Sequence, residues 1–323
     1  MSSCSSSDSL KQATKVLVFG KDGQVGRSLQ ECFKCLDVPV IFLGRKDCDL
    51  SNEVALSELL NHYQPQMIIN ASAYTAVDLA ENERDLAFAV NCEAVKLMAQ
   101  YVARVSSGVL LHFSTDYVYS GLKKERYLES DLPEPASVYG QSKLAGEREI
   151  IDAFNQASHA KNFSSRYYIL RTSWVYGDGS NFIRTMLRLA AERDVIKVVA
   201  DQYGAPTSAD WLASVTISML DSKADSGTYH AVPDGQISWY GLAKFVIELA
   251  RGFGQAINVK SENVLPIGSS EYPSVAPRPK NSCMDNTRLK QVFSQMGSID
   301  QFPSWQDQVS KYVENFVTNS PKS

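Results

Sequence analysis

Lys15-Val16-Leu17-Val18-Phe19-Gly20-Lys21-Asp22-Gly23-Gln24-Val25-Gly26 decides how the rest of the chain is read. A short β-branched run stops at glycines spaced G-x-x-G-x-x-G, and Val25, Leu29, Cys32 and Phe33 then recur at helical spacing. A buried strand therefore runs into a tight turn that opens a helix. Glycine lets backbone approach a ligand closely, and a helix N-terminus offers free N–H groups and a positive dipole end to a pyrophosphate. The spacing is a variant of the dinucleotide fingerprint, which makes Gly20, Gly23 and Gly26 candidates for a phosphate-binding turn.

Outward from that turn the pattern alternates. Val38 to Leu43 reads as a second strand, Glu53 to His62 as a helix, and Met67 to Asn70 as a third strand ending in the small residues Ala71-Ser72-Ala73. Asp85 to Arg104 carries apolar residues at helical spacing and leads into Val109-Leu110-Leu111-His112-Phe113-Ser114-Thr115-Asp116-Tyr117. Strands and helices in strict alternation with short connections predict parallel strands and right-handed crossovers: an α/β, Rossmann-type, doubly wound parallel sheet. Ligands of such sheets lie at the carboxyl ends of the strands, where the glycine turn, Ala71 to Ala73 and Ser114 to Asp116 converge.

The next segment, Tyr139-Gly140-Gln141-Ser142-Lys143, adds chemistry. In a helix, residues four apart share a face, which predicts the Lys143 ammonium beside the Tyr139 phenol. A neighbouring cation favours the phenolate and brings a group with an ordinary pKa of about 10 towards the working range. That pairing suits carbonyl reduction, with Tyr139 giving a proton to the oxygen while hydride reaches the carbon. Alone the spacing is common in helices; a nucleotide site upstream makes it specific.

Beyond Lys143 the helix runs to about Asn155, Tyr167 to Arg171 reads as a strand, and the pattern then loosens. Asn181 to Arg193, Trp211 to Leu220 and Trp239 to Arg251 read as helices, Val195 to Val199 and Gly227 to Val232 as strands, and Asp201 to Thr207 as a loop. The expected division is a Ser-rich, disordered tail over 1–14, a dinucleotide-binding domain over 15–172 rejoined by the strand near 227–232, and a smaller, mainly substrate-binding lobe over 173–318. The Pro-rich stretch Tyr272 to Pro279 would bring Arg278 toward an anionic ligand.

Composition narrows the class. The chain has 323 residues, 44% of them hydrophobic, enough for a substantial core, and its formal charge of -4 with scattered Lys and Arg disfavours a nucleic-acid partner. No apolar run approaches the ~18 to 20 residues of a membrane helix, and the first fourteen residues lack an apolar signal core, so the expected location is cytoplasmic. Six cysteines (Cys4, Cys32, Cys35, Cys48, Cys92, Cys283) are sparse for this length and read as reduced thiols. Cys32-Phe33-Lys34-Cys35 falls in a predicted helix with no second pair or histidine cluster, which argues against zinc. Where NAD-specific folds place an acid after the second strand, this chain reads Leu43-Gly44-Arg45-Lys46. Two cations and no acid point to NADPH, with Arg45 meeting the ribose phosphate.

From Lys15 to Val313 the chain resembles the dTDP-4-dehydrorhamnose reductases of the extended short-chain dehydrogenase group. The matching segments are Gly20 to Gly26, Asn70 to Asp78, Ser114 to Val118, Val138 to Glu147, Arg171 to Gly177, Asp201 to Thr207 and Arg278 to Ser282. The resemblance implies NAD(P)H-dependent reduction of the C4 ketone of dTDP-4-dehydro-L-rhamnose, the last step in making an activated sugar for surface polysaccharides. It implies Tyr139 as proton donor and Lys143 as its partner and holder of the nicotinamide ribose. Thr115 would bond near the substrate oxygen and tune the tyrosine. Gly23, Gln24 and Val25 match the diphosphate turn, Asp49 and Leu50 the adenine side, and Ala71, Ser72 and Ala73 the backbone lining the cofactor. Thr115, Asp116 and Trp174 match contacts to the nucleotide-sugar. The family includes members that accept NADH as well as NADPH, and some bind Mg2+ through glutamates at a homodimer interface; neither those ligands nor the oligomeric state can be placed on this sequence. Two alternatives stay open: a sister branch that serves as a regulatory subunit of methionine adenosyltransferase, and a related nucleotide-sugar epimerase or dehydratase with tightly held NAD.

Overall fold

The computed structural model describes residues 15–222, 224–298 and 302–319. The expected tail over 1–14, with Cys4, lies outside the described residues. The chain alternates as follows: β1 (Val16–Phe19), α1 (Gln24–Phe33), β2 (Val40–Leu43), α2 (Glu53–Tyr63), β3 (Met67–Asn70), the short helices α3 (Val77–Ala80) and α4 (Arg84–Phe88), a π-helical turn (Ala89–Glu93), α5 (Ala94–Arg104), β4 (Val109–Thr115), α6 (Val138–Ser158) and β5 (Arg166–Thr172). These strands and a later one, β10 (Gly227–His230), form one parallel six-stranded sheet in the order β10-β5-β4-β3-β1-β2. The path turns back between β1 and β3, and that reversal opens a crevice at the carboxyl ends of those strands.

The sheet is buried on both faces, as its apolar strands require. In β1, Val16 and Val18 pack with Leu29 and Phe33 of α1, whereas Leu17 and Phe19 pack on the other face with Leu56 of α2, Met98 of α5 and Ile150 of α6. Alternation of side chains along the strand makes this division, and it is the doubly wound arrangement.

After β5 come β6 (Val175–Tyr176), α7 (Phe182–Glu192), β7 (Ile196–Val199), β8 (Tyr203–Gly204), β9 (Thr207–Ser208), α8 (Ala209–Asp221) and β10 (Gly227–His230). Then follow β11 (Ile237–Ser238), α9 (Trp239–Gly252), β12 (Val264–Ile267), α10 (Thr287–Gln295) and α11 (Trp305–Asn319). Helices α8 and α10 cover the β1–β10 sheet beside α1. Helices α7, α9 and α11 gather a separate core around Ile183, Leu187, Leu242, Val246, Trp305 and Val309, and β7 pairs with β12.

Four expectations are corrected. The second strand starts at Val40 and not Val38, because Pro39 has no N–H for the ladder and contributes only its carbonyl, to Val16 N. Cys35 lies beyond α1 and is exposed, so the C-x-x-C straddles the helix end. The single helix expected over Asp85 to Arg104 is broken by the π turn at Ala89–Glu93. The loop expected over Asp201 to Thr207 holds the two short strands β8 and β9. Among the described residues no helix is long and apolar enough to cross a membrane.

Candidate active site

A cleft of about 650 Å³ opens over the carboxyl ends of β1, β2, β3 and β4. Its floor is the turn after β1. Gly20 has φ +91°, and the Gly26 Cα lies so close to the Gly20 carbonyl that an added Cβ would stand 2.0 Å from that oxygen. Gly26 therefore seats α1 against the turn and does not line the cleft, unlike Gly20, Gly23, Gln24 and Val25. Helices α2, α6, α7, α8 and α9 each begin with a side-chain cap, from Asn52, Ser137, Asn181, Ser208 and Ser238. Helix α1 begins at Gly23 with none, leaving its first N–H groups to an incoming acceptor.

Arg45, Asp49 and Leu50 line one wall, Ala71, Ser72 and Ala73 the other, and Tyr139 and Lys143 the far end. Arg45 stands on the rim with its side chain 77% exposed and Nε 3.9 Å from Asp49. Asp49 is engaged by Ser51, whose N–H and hydroxyl both donate to Oδ1 and hold the carboxyl below its ordinary range. Asp22 also lines the cleft, beside Gly44. The acid missing just after β2 in the sequence is thus partly replaced by Asp22 on the neighbouring turn. Asp47, three residues further on, folds back to accept from Gly44 N and from Lys21 Nζ at 2.5 Å.

At the far end the expected pair is rearranged. Lys143 is fully buried, with Nζ 3.0 Å from His112 Nε2 and donating to the Phe113 carbonyl at 2.7 Å. It turns down to β4, on which α6 packs, instead of along α6 to the Tyr139 phenol. Burial pulls its pKa down to about 7, against a smaller opposing pull from Glu147. Burial likewise raises the Tyr139 phenol above its ordinary value; a hydrogen bond with Thr115 draws it back, and Asp116 and Tyr117 push it further up. The tyrosine is a neutral phenol, and no phenolate is stabilised by the lysine here.

Thr115, Asp116, Trp174 and Arg278 lie beside this end and outside the cleft lining. Thr115 Oγ1 donates to Asp116 Oδ1 at 3.1 Å. Asp116 is buried, its Oδ2 has no hydrogen-bond partner, and burial raises its pKa to about 6 against the pull of the Ser282 and Thr115 hydroxyls. Arg278 Nη2 pairs with Asp78 Oδ2 at 2.6 Å, and Nη1 lies 3.4 Å from the Tyr117 hydroxyl. The Tyr117 ring meets that of Tyr139 edge to face at 5.5 Å. Trp174, at φ +48°, stacks on Trp239 with ring centroids 3.5 Å apart.

Several site residues went unread in the sequence. Asn91, in the π turn, accepts from Tyr74 N and donates to Tyr74 O and Ser142 Oγ, clamping the loop after β3 to α6. Thr172 Oγ1 lines the cleft, buried and without a partner, like Ser114 Oγ at the strand end already expected there. His112 carried a legible signal: a histidine inside an apolar run. Uncapped helix start, orphaned hydroxyls and exposed rim arginine together fit a dinucleotide phosphate at one end and a polar nicotinamide amide at the other. No group of three or more His, Cys, Asp or Glu that could hold a metal occurs among the described residues.

Comparison with known proteins follows the same direction. The family model described as RmlD substrate binding domain matches residues 14–318. A dTDP-4-dehydrorhamnose reductase of Escherichia coli K12 is 37% identical over 94% of this chain and 99% of its own length. The crystal structure of a dTDP-4-dehydrorhamnose reductase from Clostridium acetobutylicum superposes with a TM-score of 0.82 at 35% identity, covering 94% of this chain and 99% of that one. One from Bacillus anthracis, solved in complex with NADP, gives 0.78 at 34%, covering 92% and 98%.

Proposed function

The chain belongs to the dTDP-4-dehydrorhamnose reductase family, and from that membership we propose that it reduces the C4 ketone of dTDP-4-dehydro-L-rhamnose to dTDP-L-rhamnose with NADPH, Tyr139 being the proton donor. The observation that carries the reading is that Tyr139 and Lys143 line the same cleft as the glycine turn of β1, so one ligand can reach both.

Bound NADPH supplies the hydride. The α1 N-terminus, with Gly23, Gln24 and Val25, would hold the diphosphate, Arg45 the ribose phosphate and Lys143 the nicotinamide ribose, with Ala71, Ser72 and Ala73 forming the wall. Ser114 and Thr172 offer buried hydroxyls to the amide. Tyr139, kept protonated by burial, gives its proton to the ketone oxygen as negative charge develops there. Thr115, by turning its single hydroxyl proton from Asp116 to the phenolate, then steadies the charge left behind. Thr115, Asp116 and Trp174 bound the sugar side. Arg278, now held by Asp78, is close enough through Tyr117 to meet the anionic nucleotide-sugar. The acidic balance and scattered cations support small-molecule rather than nucleic-acid partners.

Tyr139→Phe tests the assignment. It removes one hydroxyl, and turnover measured by NADPH consumption with dTDP-4-dehydro-L-rhamnose is expected to fall by a factor on the order of 10² to 10⁴ with NADPH binding retained. Wild-type turnover in the folded variant refutes it.

A further inference from the structure

Asn70 and His112 are opposed residues on β3 and β4, fully buried, and neither touches the proposed substrate. Their hydrogen bonds nonetheless fix the state of Lys143. Ser72 N–H donates to Asn70 Oδ1 at 3.0 Å, and a backbone amide can only donate, so the orientation of the Asn70 amide is set. Its NH2 group then faces His112 Nδ1 at 3.1 Å, and Nδ1 must be the bare, accepting nitrogen. A neutral imidazole with Nδ1 bare carries its proton on Nε2. That N–H points at Lys143 Nζ, 3.0 Å away. An ammonium has no lone pair to accept it, whereas an amine accepts it and still donates to the Phe113 carbonyl.

We propose that His112 is a positioning residue: as the Nε2–H tautomer it donates to Lys143 and holds the lysine of the free enzyme as an uncharged amine, which takes up a proton when the cofactor cleft fills. The groups facing Lys143 agree. On β4 there is only His112, itself held neutral by burial. On α6, Glu147 favours the ammonium, but more weakly than burial opposes it, and its carboxylate is already met by Arg171 of β5 in a two-bond pair. Tyr139 is a neutral phenol, and the Asp116 carboxyl accepts from Thr115. An ammonium at Lys143 would need the His112 proton moved to Nδ1 and the Asn70 oxygen turned to the ring. Asn70 would then lose Ser72 N–H, and Ser72 lines the cleft. Lysine charge and cofactor wall are therefore linked through two buried side chains. The role rests on Lys143 meeting the cofactor, as read above.

The four histidines permit a direct test. Ring 15N NMR of the free enzyme is expected to show His112 protonated on Nε2 only. His230 is an internal opposite: its Nδ1 faces the Asp285 carbonyl at 2.8 Å and its Nε2 faces the Tyr119 hydroxyl at 2.7 Å, which requires Nδ1–H. His62 and His159 are exposed. The second arm is calorimetry of NADPH binding in buffers of differing ionisation enthalpy. Wild type is expected to take up a proton at about pH 7.5, and His112→Gln, whose Oε1 can accept from an ammonium, to lose that uptake and move the alkaline fall in NADPH affinity up by about 1 pH unit. A His112 protonated on Nδ1, or unchanged proton uptake in folded His112→Gln, overturns the proposal. Should His112→Gln not fold, the wild-type tautomer decides alone. Absence of any NADPH binding would instead refute the cofactor reading, and the tautomer would still be read.

Discussion

Arg45 shows how far one residue can set cofactor choice. Its guanidinium is exposed and only loosely tied to Asp49, so it is free to meet a phosphate with two parallel bonds. Asp22 and Asp49 share the rim, and their carboxylates temper the attraction. NADPH is therefore expected to be preferred over NADH at low salt, and Arg45→Ala to narrow the gap by raising the KM for NADPH; equal, unchanged specificity constants would count against it. Asp116 offers a pH signature. Its folded pKa of about 6 exceeds its ordinary value, so the folded state holds a proton that the unfolded chain releases first. Its contribution to stability is full at pH below about 4 and lost as pH rises through about 6. Asp116→Asn should raise Tm at pH 7 and leave it nearly unchanged at pH 4; equal effects at both would contradict this. Tyr139 and Lys143 were legible as a pair from their spacing, but the direction of the lysine was not. Spacing along α6 cannot show that β4 places a histidine and a free carbonyl beneath it.

Among the elements, α6 carries both proposed proton-handling residues, and its placement depends on the π turn. Gly146 of α6 touches the Asn91 carbonyl of that turn, where an added Cβ would stand 2.1 Å from the oxygen. Gly146→Ala must push the helix away, with an expected loss on the order of 1 to 3 kcal/mol in urea unfolding and a lower kcat, because Tyr139 moves with it. Gly252, at the end of α9 with nothing within 4 Å, is the control: Gly252→Ala should leave stability unchanged or slightly higher. Equal losses at both sites would remove the packing argument. Strands β1 and β3 and the start of α1 were legible because β-branched runs and glycine punctuation are local signals. The π turn was not: its wider hydrogen-bond register leaves the apolar spacing of Leu86, Ala89, Val95 and Met98 nearly intact. The shortened β2 could have been read from Pro39.

For the whole molecule, the chain leaves the sheet at Thr172 and the Trp174 indole stacks on Trp239, the first residue of α9. This stack ties the segment after β5 to the core gathered by α7, α9 and α11. Trp174→Ala is expected to lower stability by about 2 kcal/mol and to raise the KM for the nucleotide-sugar together, whereas Trp174→Phe keeps a ring contact and restores most of both. A change in KM with Tm unmoved would make the indole a sugar contact alone. The doubly wound arrangement was readable from alternation; the joining of the lobe was not, since aromatic partners 65 positions apart leave no periodic trace. The outermost strand, β10, has a consequence for synthesis. It arrives at Gly227, long after the β5 strand it covers ends at Thr172. While the ribosome makes the intervening segment, β5 presents an unpaired row of backbone donors and acceptors, the kind of edge to which another nascent chain can add. Chains halted before Gly227 should scatter light and bind chaperone, and chains extended through His230 and clear of the ribosome should not. The fold is thus most exposed to misassembly at one interval of its own making, set by the order in which its strands are delivered.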